Sequence, residues 1–182
     1  MKALFLTEVG KTEVREVLKP VPGPGEVLLK IGVVGFCGGD LNGFKGLFEL
    51  QEYPNILGHE IGATIETAGP DVPLHIKQGM RVTVYPYLNC GKCISCRKGH
   101  RNACQDNKTM GVRRPGAMTS FITVPWQDIF ISENLTLNPA VNKSANNFAS
   151  EKELYFINTP YSFSRLILRD VVSTKVGIGT PG

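Results

Sequence analysis

Four cysteines in one short stretch, Cys90, Cys93, Cys96 and Cys104, constrain this chain more than any other feature. Their spacing, C-x2-C-x2-C-x7-C, is what a single tetrahedral all-thiolate metal site requires. Zinc accepts four thiolates at roughly 2.3 Å, and a structural site is closed once the protein fills all four positions. Such a site has no position left for catalysis. The residues between the last two ligands, Arg97-Lys98-Gly99-His100-Arg101-Asn102-Ala103, are polar and basic. They suit a surface loop whose cations offset the excess negative charge of four thiolates around one divalent ion.

Two other readings share the pattern. Disulfides would suit a secreted protein, but the first residues, Met1-Lys2-Ala3-Leu4-Phe5-Leu6-Thr7-Glu8, lack the apolar core of a signal peptide. An iron–sulfur centre would share the C-x2-C-x2-C opening, but the fourth cysteine followed by proline, expected after three more residues, is absent. Unpaired thiols fit a reducing, cytoplasmic location.

Composition sets the outer limits. With 182 residues, 42% of them hydrophobic and 20% charged, the chain has room for one medium domain, or a domain and a fragment, with a real core. Its longest apolar run, residues 27–37, is broken by Lys30 and falls short of a membrane span. The formal charge of +4 is spread rather than blocked, so neither a nucleic acid nor a membrane is expected as partner.

Residues 1–81 read as short strands punctuated by glycine and proline, with Lys19-Pro20-Val21-Pro22-Gly23-Pro24-Gly25 a connector that can continue no element. The expected fold is mainly β, an irregular barrel. Strands are expected over 26–34, 60–67, 81–85, 118–124 and 129–131. Asp40 is expected to cap a short helix. Residues 138–150 are rich in Asn, Ser and Ala without a clear period, and 155–168 mix aromatics with Pro160 and show no amphipathic pattern.

A second constellation precedes the cysteine loop. It comprises Gly35-Phe36-Cys37-Gly38-Gly39-Asp40 and Gly58-His59-Glu60. Cysteine, histidine and glutamate all bind zinc, and the flanking glycines permit tight turns that aim such ligands into one cleft. Taken alone, a cysteine is ordinarily a small buried hydrophobe and a His-Glu pair a hydrogen-bonded one. Their joint appearance beside a four-cysteine loop shifts the balance towards metal.

On these motifs, and on Lys77-Gln78-Gly79-Met80-Arg81-Val82, residues 1–132 resemble the zinc-dependent medium-chain alcohol dehydrogenases, especially the polyol, sorbitol and threonine dehydrogenase branch. The resemblance implies a GroES-like irregular β barrel with a zinc-binding lobe over residues 1–135, followed in the family by a Rossmann domain for NAD(P). It implies one catalytic zinc held by Cys37 and His59, with Glu60 next to the metal, and one structural zinc in the cysteine loop. Asp40 would orient His59, since a carboxylate accepting the other ring N–H fixes the tautomer and raises the basicity of the ligand. The implied reaction is oxidation of a secondary alcohol of a polyol, sugar acid or related compound, with hydride passing to the nicotinamide. A small-molecule alcohol is the implied partner, and homo-oligomerisation is left open.

Three departures from the family pattern stand out. Gly39 replaces the usual Ser or Thr, whose hydroxyl hands on the alcohol proton, and Ala63 replaces a glycine. The Glu-Pro segment carrying a further zinc ligand is not recognisable; Glu153, followed by Leu154, is the nearest candidate. Residues 136–175 form a divergent or disordered segment in this reading, and 176–182 a stub of a Rossmann domain. In the stub Gly177, Gly179 and Gly182 fit the G-x-G-x-x-G turn that lets a pyrophosphate approach a helix N-terminus. The expectation is therefore a truncated, altered or rearranged dehydrogenase with little turnover by itself. The alternative is a non-catalytic zinc-binding β domain.

Overall fold

A computed structural model describes residues 1–132 and the backbone of two later strands, Tyr155–Asn158 and Ser164–Leu168. Glu153 and the glycine turn at Gly177, Gly179 and Gly182 lie outside the described residues.

The architecture grows around one long strand. β1 (Lys2–Glu8) and β2 (Lys11–Glu16) form a hairpin, and the proline-rich connector then delivers the chain to β3 (Glu26–Phe36). Valine, isoleucine and leucine dominate β3, as befits side chains that pack well on a pleated sheet. Val27, Leu28 and Leu29 are all buried in succession, where a strict alternation would expose the middle one. The ladder to the next strand shifts register between Leu28 and Leu29 and again between Ile31 and Val33. Bulges of this kind bend a strand and sharpen its twist, which lets β3 curl around the core.

β4 (Asn55–Ile56) pairs with β1, and β5 (Glu60–Ala68) runs antiparallel along β3. β6 (Arg81–Val84) extends the sheet from β5. β7 (Tyr87–Leu88) and β8 (Lys108–Thr109) pair with each other and close the neck of the cysteine loop. β9 (Phe121–Pro125) returns to the first half of β3, and β10 (Ile129–Ile131) pairs with β6. The two later strands, β11 (Tyr155–Asn158) and β12 (Ser164–Leu168), form an antiparallel pair, and β12 lies against residues 34–36 at the far end of β3. The fold is mainly β, as expected, with Leu6, Leu29, Ile65, Met110, Met118, Val82 and Val124 at the centre of one core. Full burial of each such side chain is worth about 1.5–3 kcal/mol.

The expected strand over 118–124 starts later, at Phe121. Met118 is fully buried, but its N–H donates to Leu57 and its carbonyl accepts from Leu4. It therefore bridges two chain segments instead of continuing one ladder. The helix expected after β3 is short, α1 (Gly38–Phe44), and Cys37 rather than Asp40 is its N-cap. Asp40 sits at the third helical position, and its carboxylate reaches back to accept the Cys37 N–H at 2.9 Å. That is the return half of a capping box.

Candidate metal centres

The register of β3 and β5 explains how residues 37 and 59 meet. Gly35 lies opposite Glu60, the last pair of the ladder. Beyond it, Cys37 leaves β3 and His59 enters β5, so both emerge from the same end of the sheet. Donor atoms of Cys37, His59 and Glu60 lie within 4.8 Å of one another.

Two glycines make this approach feasible. A Cβ on Gly35 would stand 2.8 Å from Oε2 of Glu60, so the Glu60 side chain lies over the bare backbone of its cross-strand neighbour. The expected turn does not occur at Gly35, which lies within β3 and leaves room for a carboxylate. Gly58 does serve a turn. Its φ of +94° is the left-handed region that glycine alone enters freely, and a Cβ there would come 2.9 Å from Val34 Cγ1.

Asp40 ties the two ligand segments together. It is only 2% exposed, and while Oδ2 accepts the Cys37 N–H, Oδ1 accepts the Gly58 N–H at 3.0 Å. The same Oδ1 stands 3.5 Å from Nδ1 of His59. That nitrogen is buried without an aligned hydrogen-bond partner, so charge attraction holds the ring while the donor stays unsatisfied. The Asp40 carboxylate 3.5 Å away pushes the pKa of His59 up to about 9; burial opposes the rise and Cys37 adds to it. A histidine held between a carboxylate and a thiol is suited to trade its proton for a metal cation. The three mixed donors leave part of a coordination shell open.

The cysteine loop is built differently. Its ligands hang from the β7–β8 neck on α2 (Ile94–Arg97) and a 3-10 turn at Arg101–Ala103. None of the five cysteines forms a disulfide. Sγ of Cys90 lies 3.6 Å from that of Cys104 and 4.0 Å from that of Cys96, and all four sulfurs fall within 4.8 Å of one another. Four sulfurs about 2.3 Å from one central ion form a tetrahedron with edges of about 3.8 Å. The observed separations bracket that value, whereas a disulfide needs about 2.0 Å. The donor set fits one tetrahedral ion.

The electrostatics of the loop tell the same story. Backbone N–H groups of Cys96 and Gln105 pull the Cys93 thiol down to about 6, and those of Cys93 and Lys92 lower Cys90. Burial, and then the neighbouring sulfurs of Cys93 and Cys104, push Cys96 up to about 12. With Cys93 lowered and Cys96 raised, these neighbours do not ionise alike by themselves, and a divalent cation among them would remove that conflict.

The basic run does not act as the sequence suggested throughout. Arg101 donates to Asn89 at 3.2 Å and to Asp128 at 3.3 Å, so it fastens the loop to the residues preceding β10. Sequence reasoning missed this contact, since nothing in the pattern around Asp128 marks it as a partner.

Known proteins resemble this chain over the same region. L-galactonate-5-dehydrogenase of Escherichia coli (strain K12) is 34% identical over 116 residues, which cover 64% of this chain and 34% of that protein. L-threonine 3-dehydrogenase of Pyrococcus horikoshii is 37% identical over 138 residues, covering 71% of this chain and 38% of its own. The chain thus spans little more than a third of the length of these relatives. A solved zinc-binding dehydrogenase from Sinorhizobium meliloti 1021, bound to NADP, superposes with a TM-score of 0.67 at 35% identity, over 71% of this chain and 37% of its own. The profile of the Alcohol dehydrogenase GroES-like domain matches residues 23–133, and on that match, with these relatives, the chain belongs to the zinc-dependent medium-chain alcohol dehydrogenase family.

Proposed function

We propose that residues 1–135 are the zinc-binding catalytic domain of an oxidoreductase that oxidises a secondary alcohol of a polyol, sugar acid or related compound with NAD(P). The observation that carries this reading is the convergence of the Cys37, His59 and Glu60 donor atoms within 4.8 Å at one end of the β3–β5 ladder. These three residues would hold a catalytic zinc, and Cys90, Cys93, Cys96 and Cys104 a structural one. When bound, a catalytic zinc supplies a Lewis acid that acidifies a substrate hydroxyl, and the nicotinamide accepts the hydride.

The chain's own residues supply orientation. Asp40 holds the Cys37 and Gly58 backbones in one place and faces Nδ1 of His59, leaving Nε2 as the ring nitrogen for the metal. Glu60, lying over Gly35, holds a carboxylate beside Cys37 and His59 that would serve as a further oxygen ligand for the metal. The galactonate relative, named for a sugar acid, supports a polar, hydroxylated substrate. One observation favours a second reading, a zinc-binding β domain without turnover: Gly39, beside Cys37 and His59, carries no hydroxyl to pass on the alcohol proton. A helix long and apolar enough to cross a membrane is absent among the described residues.

The test is metal analysis and NAD(H) binding on the same sample. Two equivalents of zinc are expected, one of which is lost in Cys37→Ala and His59→Ala. A zinc content unchanged by either substitution would sink the catalytic centre. Quenching or a shift of NADH fluorescence, with NAD(P)H formation from polyols or sugar acids, favours the enzyme reading. Two zinc ions without nucleotide binding favour the second.

A further inference from the structure

The two edges of β3 are covered unequally. β5 runs along one edge from Val27 to Gly35. On the other edge β9 pairs with Glu26 to Lys30, and the Ile31 N–H then donates to the Ser120 carbonyl at 3.0 Å. Because β5 already holds the first edge at Val34 and Gly35, β12 takes the second one: Val34 lies opposite Leu168, Gly35 opposite Ile167 and Phe36 opposite Leu166. Phe36 depends on this ladder most. The β5 ladder stops at the Gly35–Glu60 pair, so Leu166 is the only cross-strand partner of Phe36 among the described residues. The next residue is Cys37.

The two donor segments of the cleft are therefore supported from different parts of the chain. Ahead of His59, the Gly58 N–H donates to Asp40 and the Gly58 carbonyl accepts the Ala117 N–H at 2.8 Å; after it, Glu60 begins β5. Cys37 is held on its helix side by Asp40 and by Leu41, whose N–H donates to the Cys37 carbonyl at 3.2 Å. On its strand side the support comes from β12. Gly35, Gly38 and Gly39 crowd around Cys37 in sequence, and glycine loses more freedom than any other residue when it is ordered. A ligand set in such a backbone needs holding from both sides.

We propose that β12 is a positioning strand for the metal cleft: docked in cis on the edge that β9 leaves, it fixes the end of β3 from which Cys37 reaches the ion. This rests on the metal-centre reading above and brings in a part of the chain that the reading does not use. Strand addition to an open edge draws its affinity from main-chain hydrogen bonds, which suits a segment whose sequence carries no amphipathic pattern. Linkage makes the effect reciprocal, so that metal in the cleft tightens the docking of β12 by the factor by which docking tightens the metal. Couplings of this kind amount to about 5- to 150-fold.

The experiment uses the full chain with cobalt in the cleft and zinc in the cysteine loop. The thiolate-to-cobalt absorption band reports Cys37 on the metal, and hydrogen exchange follows those amides of Val34, Gly35 and Phe36 that face β12. Since β12 lies between β3 and β11, proline at position 167 removes a ladder hydrogen bond to one neighbour or the other. Ile167→Pro is expected to quicken exchange at these amides, weaken cobalt by about tenfold or more and shift the band, with protection over residues 27–30 and the loop zinc unchanged. Ile167→Val should match the unmodified chain, in which cobalt slows the same amides by a similar factor. Unchanged exchange in Ile167→Pro would show that β12 does not dock there, and quickened exchange with unchanged cobalt affinity would show that it docks without positioning Cys37; either result overturns the proposal. So would loss of protection throughout β3 in Ile167→Pro and in the milder Leu168→Pro, because β12 would then belong to the core. An unmodified chain without the thiolate-to-cobalt band, but with exchange that still responds to Ile167→Pro, would instead remove the metal centre, and the positioning role with it.

Discussion

The cysteine loop and the cleft both gather metal-binding side chains, yet by opposite routes. In the loop, four like donors come from 15 consecutive residues and are held by turns and a neck of two residue pairs. In the cleft, three unlike donors come from the ends of separate strands, and only the register of a long ladder makes them neighbours. The four donors of the loop would satisfy a tetrahedral ion completely. The cleft is shaped by the barrel, and its three donors would leave an ion incompletely satisfied. Local assembly gives closure, and non-local assembly gives an open position in a defined place.

The largest expected effect of this difference is on removal of metal. Binding energy in small thiolate sites is folding energy, about 10–16 kcal/mol for zinc-finger peptides, and the loop has almost no apolar packing of its own. Chelation, or Cys96→Ser, should therefore abolish hydrogen-exchange protection over residues 88–106 and leave that of β3 and β5 in place. Simultaneous loss of protection in β3 would show that loop and barrel form one cooperative unit.

Next in size is Gly58→Ala. The left-handed φ and the 2.9 Å approach to Val34 Cγ1 together should cost roughly 3 kcal/mol. Urea unfolding measures the loss, and zinc content should fall in the cleft but not in the loop. A variant as stable as the parent would mean that the turn at residue 58 can relax without Asp40 losing its grip.

Asp40→Asn should follow. A buried carboxylate accepting two backbone N–H groups is replaced by an amide whose nitrogen cannot accept, at a cost of about 1–3 kcal/mol. Cleft zinc affinity should drop about 10- to 100-fold, with the loop unaffected. The pH dependence adds a second readout. Because the folded pKa of His59 is raised from 6.5 to about 9, its contribution to the metal-free fold is fully present below about 6.5 and is lost as pH rises through about 9. Zinc must displace the same proton, so cleft occupancy should tighten as pH rises across that window. In Asp40→Asn the window should contract towards 6.5, as read from the His59 ring protons by NMR. An unchanged His59 titration would assign the shift to some other group.

These contrasts also explain what the sequence could reveal. The loop was legible because its ligands are adjacent in the chain, and spacing alone limits what they can surround. Cys37 and His59 were legible through a resemblance, since 22 positions separate them and no local rule joins them. The reasons behind the cleft were not legible. That Gly35 yields to Glu60 depends on strand register, which bulges at Leu28 and Ile31 shift in ways no alternation predicts. β11 and β12 were missed for a related reason. Tyr155-Phe156-Ile157 and Leu166-Ile167-Leu168 are short apolar runs without alternation, which periodicity cannot assign to strand rather than helix.

The smallest expected effect lies at the contact joining the loop to the barrel. Arg101 is half exposed, and Asp128, at 8% exposure, is nearly buried, so the pair gains little from charge attraction screened by solvent on one side. Asp128 is raised above the usual carboxylate range by burial, with Arg101 and then Arg114 opposing the rise. Removing Arg101 therefore lifts it further but does not leave it without a cation. Arg101→Met should cost no more than about 1 kcal/mol of global stability. The loop, however, loses one of the few side-chain ties between it and the barrel. Hydrogen exchange at residues 97–104 should quicken in the zinc-loaded variant while the barrel is unchanged. If exchange in the loop is also unchanged, the metal and the β7–β8 neck hold the loop by themselves, and the local half of the comparison is even more self-contained than its contacts imply.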